Sequence, residues 1–229
     1  APGYPELAVK NLAELTGIDF KNSEDLIAAT SDCGAYMTLS SAIKGLAVKM
    51  TKVCNDIRLL ASGPRCGLKE INLPQLQPGS SIMPGKVNPV AAEVANQASF
   101  LAIGLDTTVM LAASAGQLEL NVMEPVITFA LYTQMKVMTN ACDTLRTKLV
   151  EGVTANTERC KDYVMNSIGI VTLLKPHFGY QKCAAIAKEG YTTGKSLHQI
   201  VVDEQHLMTQ AEWDATFNTQ NLIHPKFVK

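Results

Sequence analysis

The stretch YMTLSSAIKGLAVKMTKVCNDIRLL, Tyr36 to Leu60, carries apolar side chains at two interleaved seven-residue spacings. The two columns are Tyr36, Ile43, Met50 and Ile57, and Leu39, Leu46, Val53 and Leu60. Apolar residues at the a and d positions of successive heptads are typical of a helix whose seam packs on other helices. The stretch therefore predicts a long helix in an all-α bundle.

This first long helix is predicted to extend beyond the quoted stretch. The chain has no proline from Asn22 to Ser62, and Gly63-Pro64 then ends the run. Asn22 or Ser23 is the expected N-cap. A helix of about 38 residues would be ~57 Å long, whereas a compact globule of this size is roughly 45 Å across. We therefore expect part of the apolar seam to be buried between chains.

Two further long helices are indicated by their ends. The second is predicted to begin with Asn88 as N-cap and Pro89 at the first helical position, and to end before Gly116. The third starts in NVMEPV, residues 121–126, and repeats apolar residues at spacings of three and four as far as Gly152.

Beyond Val153 the sequence consists of short segments with frequent breaks. The breaking residues are Pro176, Gly179, Gly190 and Gly194. We predict a long-helix bundle domain over residues 1–153, which carries a loop at 78–89, and a small helical C-terminal domain over 154–229. Thr209 is the expected N-cap of a short helix in the second domain.

Composition narrows the class of protein. The chain is 47% hydrophobic and 6% aromatic, so the core is expected to be aliphatic and alanine-rich. The chain has 20 Lys and Arg residues and 21 Asp and Glu residues, which gives a net charge of −1. This charge argues against a nucleic-acid partner. No apolar run approaches the roughly 18 residues of a membrane span. The six cysteines are scattered along the chain without a CxxC pair. This pattern argues against a zinc site or a disulfide framework and favours a location in the reducing cytoplasm.

The loop PGSSIMPGKVNP, Pro78 to Pro89, combines residues suited to binding an anion. Its chemically useful residues are Gly79, Ser80, Ser81, Gly85, Lys86 and Asn88. A carboxylate between Lys86 and a helix N-terminus at Asn88 would be well stabilised. A serine beside it could act as a base only if N–H donors and a cation stabilised its alkoxide. Composition alone leaves open a plain connector between two helices.

The loop sequence resembles the signature loop of the fumarase/aspartase superfamily. NDIRLLASGPRCGLKEINLP, residues 55–74, and GQLELNVMEPV, residues 116–126, are similar to the same superfamily and occur in the expected order. The resemblance covers essentially all 229 residues and corresponds to the C-terminal half of a family subunit. It implies a long-helix bundle followed by a small helical domain.

The resemblance also implies roles for single residues. Ser80 matches the base that removes a proton from the carbon next to a carboxylate. The expected substrate-binding residues are Lys86, Asn88 and Ser81. The expected supporting residues are Gly79 and Gly85 in the loop, and Glu93, which serves a site shared with a facing subunit. The family reaction is a reversible anti elimination that gives fumarate or a fumaryl product, and we expect no organic cofactor and no metal site.

Four stretches resemble the aspartase branch more than the fumarase branch. They are TSDCGAYMTL (30–39), GVTANTERC (152–160), NSIGIVTLL (166–174) and NLIHP (221–225). This branch implies reversible deamination of L-aspartate to fumarate and ammonia, with hydration of fumarate to L-malate as the alternative.

Family subunits form homotetramers whose active sites are shared between subunits, and nothing in this chain matches their N-terminal half. We therefore expect further copies of the chain and that N-terminal half as partners. The non-enzymatic alternatives are a helical scaffold and an inactive fragment.

Overall fold

The computed structural model describes residues 2–79 and 82–224. The chain forms two compact units, Ala1–Thr154 and Ala155–Lys229. The described residues are mainly helical and include two strands of two residues each, so the predicted all-α class is confirmed.

The first unit contains the three long helices. Its helices are α1 (Tyr4–Thr16), α2 (Leu26–Ala29), α3 (Gly34–Leu60), α4 (Val90–Ala113) and α5 (Glu124–Lys148), followed by a 3₁₀ turn at Val150–Gly152. The strands are β1 (Ile71–Asn72) and β2 (Thr154–Ala155). The Asn72 amide donates to the Thr154 hydroxyl at 3.3 Å, which fixes the connector after α3 near the end of this unit.

The first long helix begins later than the sequence predicts. Asp25, rather than Asn22 or Ser23, is an N-cap, and it caps the four-residue α2 by accepting two backbone N–H bonds. The 27-residue α3 begins at Gly34 and is therefore about 40 Å long. The Asp32 carboxylate accepts the Gly34 N–H at 2.9 Å, and such a local side-chain bond competes with continuous helix.

The long helices pack in three apolar layers. The layers are Cys33, Val109, Ile127 and Leu131; then Ala47, Ala102 and Met138; then Cys54, Ala91, Ala95 and Leu145. From the first layer to the third, residue numbers rise along α3 and α5 and fall along α4. Helix α4 is therefore antiparallel to both neighbours. The third layer lies where α3 ends and α4 begins, at the connector that carries loop 78–89.

The two apolar columns predicted along α3 have different environments. The members of the first column that pack on buried layers are Ile43, Met50 and Ile57. The exposed members of the second column are Leu39 at 44%, Leu46 at 47% and Val53 at 55%. The fully buried side chains of α3 are small ones, Ser40, Ala47 and Cys54, and they lie beside the first column, on the side away from the second. The predicted seam thus faces this chain's own bundle on one side only.

A buried polar layer also joins α3, α4 and α5. The Ser40 hydroxyl donates to Asp106 at 2.7 Å, and Lys44 forms an ion pair with the same carboxylate. The Gln134 amide donates to Ser40 at 3.1 Å and to the Ala102 carbonyl at 2.9 Å. Burial acts to raise the pKa of Asp106, but the bonds from Lys44 and two serines outweigh it, so this pKa is lowered.

The second unit has a core of its own. Its elements are α6 (Thr157–Met165), a 3₁₀-helix (Ile168–Leu174), α7 (Lys175–Thr193), a π-helix (Gln199–Glu204), α8 (Gln210–Thr216) and α9 (Thr219–Ile223). Leu174, Ile186 and Trp213 are among its buried side chains. Thr209 caps α8, as predicted, and forms a capping box with Glu212. No helix in the described ranges is long and apolar enough to cross a membrane.

Candidate active site

The connector between α3 and α4, residues 61–89, contains most of the predicted site residues. Its first part turns tightly: the Ser62 hydroxyl donates to the Leu59 carbonyl at 2.6 Å and accepts the Leu68 N–H at 3.1 Å. An open concavity of about 550 Å³ is lined by residues 62–67 of this turn. Lys86 and Asn88, the predicted substrate-binding residues that the structure describes, do not line it.

The second part of the connector brings three predicted residues together. The Asn88 side-chain amide donates to the Gly79 carbonyl at 2.7 Å. A Cβ on residue 79 would lie 1.8 Å from the Lys86 carbonyl oxygen, so only glycine permits this close approach. Gly79, Lys86 and Asn88 are therefore neighbours at the base of the loop. Ser80 and Ser81 lie outside the described residues.

The start of α4 differs from the prediction. Pro89 is the N-cap residue, and its carbonyl accepts the Glu93 N–H at 3.0 Å, so helical bonding begins one residue later than expected. Within the described residues, the Asn88 side-chain oxygen accepts no bond from the first turn of α4, and the side-chain nitrogen donates to the Gly79 carbonyl. The prediction of Asn88 as N-cap is therefore wrong, although the residue still lies beside the helix N-terminus.

Lys86 carries the positive charge of loop 78–89. Its side chain is exposed, and no ion pair joins it to a carboxylate within the described ranges. The preceding Gly85 has φ +78, a conformation that favours glycine, and has open space around it. An exposed ammonium beside a helix N-terminus can bind a carboxylate.

Glu93 lies in the first turn of α4 and is half-buried. One turn further on, Asn96 is 3% exposed and donates to the Asn55 side-chain oxygen at 2.8 Å. Arg58 donates to the same oxygen at 3.4 Å. The Asn96 side-chain oxygen is buried without a hydrogen-bond partner in the described part of the chain. This polar cluster next to Glu93 was missed from the sequence; its available signal was an asparagine in an alanine-rich, core-facing segment.

The described residues offer little for metal chemistry. Across these ranges, no three His, Cys, Asp or Glu side chains come together in a way that could hold a metal ion. Cys33, Cys54 and Cys183 are buried, and burial raises the pKa of each thiol. Thiols held protonated in this way are poor metal ligands and poor nucleophiles.

Comparison with known families and proteins supports the resemblance noted in the sequence. A family model described as "Lyase" matches residues 1–104, and one described as "Fumarase C C-terminus" matches residues 170–224. The chain is 57% identical over 224 residues to the aspartate ammonia-lyase of Escherichia coli (strain K12), covering 98% of this chain and 47% of that protein. It is 52% identical over 228 residues to the aspartate ammonia-lyase of Helicobacter pylori, covering 100% of this chain and 48% of that protein.

Solved structures of a fumarate lyase and of a fumarase also match this chain. A fumarate lyase:delta crystallin from Brucella melitensis, bound to cobalt, matches with TM-score 0.89 and 40% identity, covering 94% of this chain and 46% of that one. A class II fumarase from Schistosoma mansoni matches with TM-score 0.88 and 31% identity, covering 99% of this chain and 50% of that one. The chain spans about half the length of the curated relatives it matches. With the fold, the connector and both sets of relatives in agreement, the chain belongs to the fumarase/aspartase superfamily of lyases.

Proposed function

We propose that this chain is the C-terminal half of an aspartate ammonia-lyase, which converts L-aspartate reversibly to fumarate and ammonia. The observation that carries the proposal is 57% identity to an aspartate ammonia-lyase across 98% of the chain, a span that includes the whole connector and loop 78–89. The exposed Lys86 ammonium, four residues before the first residue of α4, supports it, because the substrate is a dicarboxylate.

In the proposed reaction, Ser80 acts as an alkoxide base and removes a proton from C3 of L-aspartate. The electron pair left on C3 delocalises into the adjacent carboxylate, which then carries a second negative charge. Lys86 stabilises this charge more strongly than it binds the ground state, and such differential binding is what lowers a barrier. The electron pair from C3 then forms the C2=C3 double bond as the C2–N bond breaks, and the electrons of the C2–N bond leave with ammonia.

The other loop residues have binding and supporting roles in the proposal. Ser81 and Asn88 bind the same carboxylate as Lys86. Gly79 and Gly85 allow the backbone to approach the substrate closely. Glu93, half-buried in the first turn of α4, supports the catalytic groups of a site that it shares with another subunit. The reaction as proposed needs no organic cofactor.

The proposed enzyme is a cytoplasmic homotetramer with active sites built from several subunits. Exposed apolar side chains along α3 support association with further subunits. They are Leu39, Leu46 and Val53. The length of the relatives supports an N-terminal half as a second requirement, because about half of each relative has no counterpart here. Free cysteines at all six positions support a reducing compartment.

The test follows fumarate formation by ultraviolet absorbance, using the chain joined to its N-terminal half. We expect turnover with L-aspartate and release of ammonia in equal amount, with L-malate a poor substrate at the same concentration. Preference for L-malate would contradict the assignment. Fumarase is the second candidate, and the match of residues 170–224 to the fumarase C-terminal model favours it.

A further inference from the structure

The base of loop 78–89 is closed by one side chain and one close backbone contact. The Asn88 amide donates to the Gly79 carbonyl at 2.7 Å, across nine residues of chain. The Gly79 backbone lies against the Lys86 carbonyl, where a Cβ would be only 1.8 Å from the oxygen. Both contacts join the two ends of the segment that contains Lys86.

The chain on either side of this contact is anchored to the bundle. Pro74 packs on Gly152, where an added Cβ would lie 2.6 Å from the proline ring. Leu73 packs on the third apolar layer, whose cluster also includes Leu149, which is 2% exposed. A cavity of only about 10 Å³ remains between residues 73–76, the start of α4 and the end of α5. This space is at the lower limit for holding even one water.

We propose that Asn88, besides the carboxylate contact proposed above, has a positioning role: its amide bond to Gly79 clasps the base of the loop and thereby fixes the backbone of Lys86. A lysine side chain is long and flexible, so the region its ammonium samples depends on where its backbone is held. The clasp holds that backbone against an anchored part of the bundle. The inference deepens the proposed function, on which the role of Lys86 rests, but the clasp itself is a property of the fold.

The first test measures amide hydrogen–deuterium exchange of the peptide covering residues 83–87 in the intact protein, without substrate. Asn88→Ala removes the amide donor, and Asn88→Asp replaces it with a group that only accepts. Either change should speed exchange about 2- to 10-fold, the factor that corresponds to one hydrogen bond of ordinary net strength. Val87→Ala is the matched control, because Val87 lies between Lys86 and Asn88 and is 47% exposed. Exchange at the wild-type rate in both Asn88 variants would overturn the clasp.

The second test is a double-mutant cycle on kcat/KM for L-aspartate, with Gly79→Ala, Asn88→Ala and the double variant. Gly79 has no side chain with which to contact a substrate. If the two residues act through one clasp, the double variant should be no slower than the slower single variant. Effects that multiply would show that Asn88 acts only by contacting substrate, which overturns its positioning role. If the intact protein does not turn over L-aspartate, the proposed function fails, and the exchange experiment still decides the clasp.

Discussion

Replacing Asp106 by asparagine tests the buried polar layer that joins the three long helices. The variant keeps an oxygen that can accept the Ser40 bond, but it removes the charge that pairs with Lys44. A hydrogen bond to a charged group contributes about 1.5–3 kcal/mol. The Lys44 side chain is 41% exposed, so solvent screens part of this. We expect the free energy of unfolding to fall by about 1–2 kcal/mol.

The assay is urea unfolding at pH 7 and at lower pH, at one protein concentration. The matched control is Asp56→Asn, which removes an exposed pair with Lys52 and should cost only about 0.3–0.5 kcal/mol. The pKa of Asp106 is lowered in the folded protein. The contribution of Asp106 to the free energy of unfolding is therefore present above the unfolded-state pKa of about 3.9. It is lost as pH falls through the folded-state pKa. The gap between wild type and Asp106→Asn should accordingly narrow below about pH 4. Two results would refute this reasoning. One is an equal loss in free energy of unfolding for Asp56→Asn and Asp106→Asn, and the other is a difference between wild type and Asp106→Asn that does not change at acid pH.

Two further predictions concern the site and the assembly. Lys86→Ala should lower kcat as well as kcat/KM for L-aspartate, because its charge is needed most in the transition state; a rise in KM alone, measured by steady-state kinetics, would contradict that role. Leu46→Glu should dissociate or aggregate the assembly in light scattering, because Leu46 is 47% exposed on the uncovered side of α3. Each such side chain gains about 1.5–3 kcal/mol on full burial. Lys49→Gln, also exposed on α3, is the control that should assemble normally.

The elements that the sequence predicted well depend on local signals. Helix α5 begins within the predicted motif 121–126 and ends at Lys148, and a 3₁₀ turn continues to Gly152. The Thr209 cap was correct because its partner Glu212 lies only three residues away. The predicted start of the first long helix was wrong because heptad spacing does not register the bond that the Gly34 N–H donates to the Asp32 carboxylate.

The features that were missed depend on contacts between distant residues. Ser40 bonds to residues 66 and 94 positions away, and nothing in the local pattern of α3 indicates a polar layer there. The bond that the Asn88 amide donates to the Gly79 carbonyl likewise joins residues nine positions apart, and only the folded connector shows it. In the same way, the heptads identify an apolar seam but not which of its columns this chain covers.

The most direct test of the central claim measures fumarate formation by Ser80→Ala in the chain joined to its N-terminal half. We expect kcat for L-aspartate to fall about 10²–10⁴-fold, the usual contribution of a positioned base, while KM and the assembly state stay near those of the wild-type protein. Ser80→Ala turnover close to the wild-type rate would contradict the claim that this loop supplies the base.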